Sequence, residues 1–359
     1  MRLGEVAIKI TKGTTPTSVG CQFETQGINY IKSESITSSR TLDRSKYAFI
    51  SEETHEKLKR SQIEENDILF SMAGVYLGKT AIVEQLDVPA NTNQAVAIIR
   101  LDKEKADYNY VYYWLNNKSV QSYVNNSVAQ SAQPNINLQL IGDLEISLPS
   151  LPTQRAIAAT LSALDDKIAV NNKLNHILEQ MAQTIFTELC SKGENAVLSD
   201  ILTVLYGKDH KRLGSGEIPC YGSGGIMRYV DEAIYIGESV LIPRKGSLNN
   251  VLYVNEPFWT VDTMFYTHMT SLGVAKFVYF TVRNLDLVGM NVGSAVPSMT
   301  TAILNALEIV LPSDDNLTKF EEIVSPMFLK IKANNTESAH LAALRDTLLP
   351  MLMSGELKI

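Results

Sequence analysis

Residues 151–191 read LPTQRAIAATLSALDDKIAVNNKLNHILEQMAQTIFTELCS, and from Thr153 to about Ser191 there is neither glycine nor proline. Pro152 stands near the first turn of the helix this predicts, where its missing N–H would be unpaired anyway. Ile157, Leu161, Leu164, Ile168, Leu178 and Ile185 recur at alternating spacings of four and three, the seam of a coiled coil. Asn171 and Asn175 take seam positions between Ile168 and Leu178. A buried amide there costs stability and fixes register and partner. At about 1.5 Å per residue, such a helix is on the order of 50–60 Å long.

A second helix with the same plan is predicted from Leu317 to about Met353, with Val324, Met327, Ile331, Leu341 and Leu348 on the matching seam and Asn334 at the Asn171 position. Pro326 predicts a kink or a late start, and Pro350 a bend or an end. One apolar stripe is more often ordinary core packing. Two in equal register favour pairing with each other, antiparallel.

The two helices close two copies of one plan. Ser131-Ala132-Gln133-Pro134-Asn135-Ile136-Asn137 is echoed by Ser294-Ala295-Val296-Pro297-Ser298-Met299-Thr300, and Pro149 and Asn171 recur as Pro312 and Asn334, each 163 residues on. With small gaps, Asp67-Ile68-Leu69-Phe70 and Gly74 pair with Ser239-Val240-Leu241-Ile242 and Gly246. Two copies make a duplication, not a solenoid. The expected division is 1–149, 150–193, 194–311 and 312–359. Short runs at Asp67–Phe70, Ala95–Leu101, Ala233–Ile236, Val240–Ile242 and Val251–Val254 predict strands. Tyr108–Asn116 and Val274–Arg283 predict short helices. The fold class is therefore α/β (α+β): two irregular β-rich domains joined by two long antiparallel helices in a coiled coil, with a pseudo-two-fold repeat.

The bulk figures restrict the function. At 359 residues, 45% hydrophobic and 20% charged, the chain has room for two or three soluble domains. No apolar run reaches the roughly 18 residues of a membrane span, and no signal-peptide core opens the sequence. Cys21, Cys190 and Cys220 form no CxxC pair, which predicts a reducing cytoplasm and neither disulfides nor a thiolate zinc site. The net charge is −7; residues 1–149 carry 15 basic against 17 acidic groups, and residues 194–311 carry 8 against 11. A nucleic-acid role would need local basic patches or a partner supplying phosphate contacts.

Some motifs suggest chemistry that their context does not support. Ala73-Gly74-Val75-Tyr76-Leu77-Gly78-Lys79-Thr80 fits a relaxed phosphate-loop pattern, but a phosphate loop must feed a helix from its Lys-Thr, and Ala81-Ile82-Val83 reads as a strand. A hairpin turn is the better reading, and a P-loop enzyme using Lys79 and Thr80 is the rival one. Gly222-Ser223-Gly224-Gly225 lacks a dinucleotide context. His55, His176, His210, His268 and His340 have no metal spacing and are expected at surfaces. Asp165 and Asp166 point about 100° apart on a helix, so they suit a solvated face or salt bridges better than a shared ion.

Leu148-Pro149-Ser150-Leu151-Pro152-Thr153-Gln154-Arg155 with Leu161-Ser162-Ala163-Leu164-Asp165-Asp166-Lys167-Ile168 resembles the central helical region of Type I restriction–modification specificity subunits. Leu344-Arg345-Asp346-Thr347-Leu348-Leu349-Pro350 with Ser354-Gly355-Glu356 resembles their distal region. Ile218-Pro219-Cys220-Tyr221-Gly222-Ser223-Gly224-Gly225-Ile226 and Pro243-Arg244-Lys245-Gly246-Ser247 are similar to one type of their target-recognition domain. The resemblance covers essentially the whole chain.

It implies two target-recognition domains that each read half of a bipartite double-stranded DNA site, separated by a gap of roughly 5–8 base pairs set by the helices. It further implies docking of methyltransferase subunits, usually two, and of restriction (translocase) subunits. S-adenosylmethionine, ATP and Mg belong to those partners. The chain itself is then non-catalytic, with no cofactor or metal of its own, and no membrane partner.

DNA contacts are expected from Lys57, Lys59 and Arg60; from Lys208, Lys211 and Arg212; and from Arg244 and Lys245, where a guanidinium suits guanine O6 and N7. Asn91, Thr92, Asn93 and Gln94 offer groups suited to adenine. Tyr76, Lys79, Tyr221 and Ser223 complete the candidate set. The remaining rival is a duplicated protein-binding scaffold with no DNA role.

Overall fold

The computed structural model describes residues 1–37, 39–128, 135–271, 273–290 and 298–359. The repeated residues 131–134 and 294–297 lie outside the described residues. The first copy comprises α1 (Leu3–Val6), β1 (Ala7–Lys12), β2 (Ile28–Ile31), β3 (Ala48–Ile50), α2 (Glu52–Lys57), β4 (Gln62–Ile63), β5 (Ile68–Ser71), β6 (Thr80–Ile82), β7 (Ala90–Thr92), β8 (Val96–Leu101), α3 (Tyr108–Leu115), α4 (Lys118–Val128), α5 (Leu138–Asp143) and the long α6 (Leu151–Cys190). The second comprises β9 (Glu194–Val197), β10 (Leu202–Tyr206), β11 (Ile218–Gly222), β12 (Gly225–Val230), β13 (Glu238–Pro243), β14 (Leu252–Asn255), β15 (Trp259–Thr260), β16 (Met264–Met269), α7 (Ala275–Arg283), α8 (Thr301–Asn305), β17 (Glu308–Leu311) and the long α9 (Asp314–Ser354).

The duplication is visible in the sheets. The main sheet runs β1-β8-β5-β6 in one copy and β10-β16-β13-β14 in the other, antiparallel throughout. The smaller sheet runs β3-β2-β7-β4 and β12-β11-β15, each with one parallel pair, β2 with β7 and β11 with β15. Register aligns Lys12 with Tyr206 and Gly13 with Gly207. A Cβ at Gly13 would stand 2.0 Å from the Thr92 carbonyl oxygen, and at Gly207 2.1 Å from that of Val261. Only glycine fits where the chain leaves the main sheet across the smaller one. The segments after 134 and 297 dock identically: Ile136 N–H donates to Met72 O at 2.9 Å, and Met299 N–H to Arg244 O at 2.8 Å. Asn137 and Thr300 then cap α5 and α8.

Strand periodicity explains why each main sheet carries two cores. Ile68, Phe70, Ala97 and Ile99 face a helical layer with Tyr110, Leu115 and Leu161, while Leu69, Ala81, Val96 and Ile98 face Ile31, Ile36 and Ala90. In the second copy, Val240, Ile242 and Phe265 face Phe277, Phe280 and Phe320; Leu241, Met264 and Tyr266 face Tyr221 and Phe258. Strands buried on both faces read as continuous apolar runs, as β8 does. Among the described residues, Ala233–Ile236, read as a strand, forms the single bridge Tyr235–Phe258.

The chain divides into two compact units, residues 1–171 with 336–359, and residues 172–335. Each holds one copy and one half of each long helix. In the first unit, Asp165 meets Arg345 at 2.6 Å and Asn171 meets Ser338 at 3.2 Å, so rising numbers on α6 face falling numbers on α9. In the second, Asn334 donates to Asn175 at 2.7 Å and Asn316 to Leu189 O at 3.2 Å, the same antiparallel sense. The seam residues Leu161, Leu164, Ile168, Asn171, Leu178, Ile185, Val324, Met327, Ile331, Asn334, Leu341 and Leu348 are all buried or half-buried.

α9 begins at Asp314, twelve residues before Pro326, and runs past Pro350 to Ser354, so neither a late start at the first proline nor an end at the second is found. A helix-interior proline costs about 3 kcal/mol. Burying a large apolar side chain returns about 1.5–3 kcal/mol, and Phe320 and Val324 flank Pro326 while Leu349 and Leu352 flank Pro350, all buried.

Candidate nucleic-acid interface

The hairpin turn from Met72 to Lys79 joins β5 to β6. Gly74 has φ +69°, and Val75 at the tip is 88% exposed. Leu77 N–H donates to Gly74 O, Gly78 N–H to Ser71 O and Lys79 N–H to Tyr76 O, at 3.1, 2.9 and 3.0 Å. Three of the amides a phosphate loop would offer its ligand are therefore already used. Thr80, buried in β6, accepts from Asn116 Nδ2 at 2.6 Å. No helix follows Lys79, so the P-loop reading is overturned. Lys79 instead lies over the Tyr76 ring at 5.3 Å.

The corresponding turn of the second copy runs from Arg244 to Asn250, with Gly246 at φ +84°. Lys245, Ser247 and Asn249 are exposed. Asn250 Nδ2 donates to Ser223 O at 2.9 Å, tying this turn to the Gly222–Gly225 turn between β11 and β12. Arg244 donates from Nη1 to Asp262 O at 3.1 Å, and its guanidinium lies 5.4 Å from the ring of the exposed Tyr206.

The basic loop after Tyr206 is held from beneath. Lys208 N–H donates to Thr260 O at 2.8 Å, and Trp259 Nε1 to Lys208 O at 3.0 Å. Arg228 on β12 donates to the carbonyls of Leu213 at 2.6 Å and His210 at 3.3 Å. Lys208, Lys211 and Arg212 are left exposed on a fixed backbone. In the first copy Lys57 pairs with Glu53 at 2.6 Å and Lys59 with Glu56 at 3.6 Å, while Arg60 is exposed and touches Thr14 Oγ1 at 3.3 Å. Exposed pairs of this kind are screened by water and contribute little, so exchange for phosphates costs little.

Several sequence candidates are structural. Asn91 is fully buried; its Nδ2 donates to Leu58 O and Ser61 Oγ, and its Oδ1 accepts from His55 Nδ1. Thr92, also buried, donates to Ile31 O at 2.7 Å. Neither can reach a base. Tyr221 is 8% exposed, packs on Phe258 and points its hydroxyl at Glu256, so it is a core residue. Asn93 accepts from Ala95 N–H, whereas Gln94 is exposed and accepts from Thr15. Asp165 takes Tyr113 and Arg345, and Asp166 takes Arg40, so the two carboxylates serve separate internal contacts. His55 and His210 are half-buried and the other three histidines exposed. Sequence reasoning missed Tyr206, Arg228 and Lys12; only strand register brings these residues to the turns.

Among the described residues no helix is long and apolar enough to cross a membrane, and no cluster of metal-ligating side chains occurs. Residues 1–180 match the family described as Type I restriction modification DNA specificity domain. The chain is 26% identical over 331 residues to the MjaIX specificity subunit of Methanocaldococcus jannaschii, covering 79% of this chain and 76% of that protein. It is 29% identical over 173 residues to the EcoBI specificity subunit of Escherichia coli, 47% of this chain and 34% of that one. The S subunit structure from M. genitalium superposes with a TM-score of 0.63 at 19% identity, covering 98% and 95% of the two chains, and shows a shared fold.

Proposed function

This chain belongs to the Type I restriction–modification DNA specificity family, and from that premise we propose that each of its two copies reads one half of a bipartite DNA target. The observation that carries the reading is a pair of turns built on one backbone plan with different side chains: Gly74, Val75, Tyr76 and Lys79 in one, Arg244, Lys245 and Ser247 in the other. Equal frames with unequal tips suit unequal half-sites.

The long helices set the gap and dock methyltransferase subunits, two per chain, with restriction subunits joining them. The chain contributes recognition and no catalysis. S-adenosylmethionine, ATP and Mg act in the partner subunits, where the target adenine is flipped out for methylation. Those partners also supply phosphate contacts, which reconciles DNA binding with a net charge of −7.

The test is sequencing of N6-methyladenine in a host carrying this gene and its methyltransferase, against a deletion of this gene alone. The reading expects one two-part methylated motif to vanish. An unchanged set of motifs would overturn it in favour of the protein scaffold.

A further inference from the structure

We propose that Arg244, held against the ring of Tyr206, reads a guanine in the half-site of the second copy, and that the first copy has no equivalent reader. The inference rests on the DNA-reading role proposed above and names the side chains that carry it. Tyr206 ends β10 and is 49% exposed. Phe265 packs edge-on against it at 5.1 Å, and the Tyr206 hydroxyl meets Thr301 Oγ1 at 3.3 Å, so the ring is held at two points. The Arg244 guanidinium lies over that ring, 5.4 Å from its centroid, while Nη1 donates to the Asp262 carbonyl at 3.1 Å.

The ring contact and one hydrogen bond hold the guanidinium at this position. Its Nε and Nη2 donate to none of the described residues. That pair of donors is the planar fork that matches guanine O6 and N7 in the major groove. A phosphate can be met by a mobile cation, and the exposed Lys245 next to it suffices for that. A guanidinium held between a ring and a carbonyl is suited to a target of fixed geometry.

The first copy shows what the second would be without the pair. Strand register puts Lys12 at the position of Tyr206, and the shared docking bond puts Met72 at that of Arg244. Met72 is 4% exposed. A buried thioether reads no base, so this guanine reader belongs to one half-site alone.

The test uses the full chain with its methyltransferase in a host genome, reading the methylated motif by sequencing. Arg244→Ala is expected to make one guanine position of one half-site degenerate, lowering discrimination there about 10- to 100-fold, with the other half-site intact. Arg244→Lys, which keeps the charge but lacks the fork, should relax the same position. Tyr206→Leu should relax it as well, and Tyr206→Phe should rescue it by restoring the ring. An unchanged motif in both Arg244 variants overturns the proposal. So does an even weakening of every position while the variant still co-purifies with the methyltransferase, which would make Arg244 a phosphate contact. Failure of the broader reading looks different: deleting the gene would then leave every methylated motif in place.

Discussion

Cys190 closes α6 with 3% of its surface exposed, and burial pushes its thiol up to about 12. Burial also raises Cys220, which is fully enclosed beside Trp259, the nearby Arg228 offsetting part of the rise. Thiolates, not thiols, react, so both should stay unmodified by a maleimide at pH 7.5 while the half-buried Cys21 is labelled. One label per native chain and three after denaturation is the expected mass shift. Rapid labelling of Cys190 in the native chain would show that the end of α6 opens. Asn91 belongs to the same scale. It satisfies groups of three residues, His55, Leu58 and Ser61, while fully buried, so Asn91→Leu should lower stability by about 2–3 kcal/mol, measured by denaturant unfolding. Asn93→Ala, at a partly exposed turn, should cost under about 0.5 kcal/mol.

At the scale of elements, α7 is pinned by Lys276, whose side chain is 5% exposed and donates to Glu238 of β13 at 2.8 Å and to Glu321 of α9 at 2.7 Å. Burial opposes ionisation of Glu238, but hydrogen bonds from Lys276 and Tyr253 outweigh it and hold the carboxyl below its usual range. A carboxylate depressed in the folded state stabilises at pH values above its unfolded pKa, and that contribution is lost as pH falls through the folded value. Glu238→Gln should therefore flatten the acid limb of the stability profile relative to the parent chain. Lys276→Met should cost about 3 kcal/mol at pH 7, because two carboxylates lose their partner while remaining part-buried. Equal acid sensitivity of parent and Glu238→Gln would remove the pair from this account.

The same elements show how far the sequence could be read. β8 and α6 were legible because periodicity and the absence of glycine and proline act locally, and burial follows from them. The Ala233–Ile236 run satisfies the same local rule, yet among the described residues no neighbouring strand extends its one bridge. Asn91 and Gln94 are three residues apart in one polar run, and only the pairing of β7 with β2 and β4 buries the first and leaves the second outside. Pro326 and Pro350 obey local chemistry too, but the apolar residues beside them are held by tertiary packing that a single-helix argument does not contain.

At the scale of the molecule, a duplicated chain that reads two half-sites should be modular in two separable ways. Exchanging residues 194–311 for another recognition domain replaces the turn at Arg244–Asn250 and the loop after Tyr206, and leaves the turn at Met72–Lys79 untouched. One half of the methylated motif should change and the other persist. Both halves changing would show that reading is shared between the copies. The helices are a separate variable. Removing seven residues from the middle of α6 and the seven facing them on α9 keeps every seam position in register, because the seam repeats every seven residues. It shortens each helix by about 10 Å. At about 3.4 Å per base pair, this corresponds to a gap about three base pairs shorter. The bases of both half-sites should stay as they were, since no residue of either turn has moved in sequence or lost a partner. A motif with its old gap and new half-sites would mean the helices are not the ruler. Loss of methylation with the chain still folded and bound to methyltransferase would mean that the spacing is set instead by the enzyme clasping the duplex.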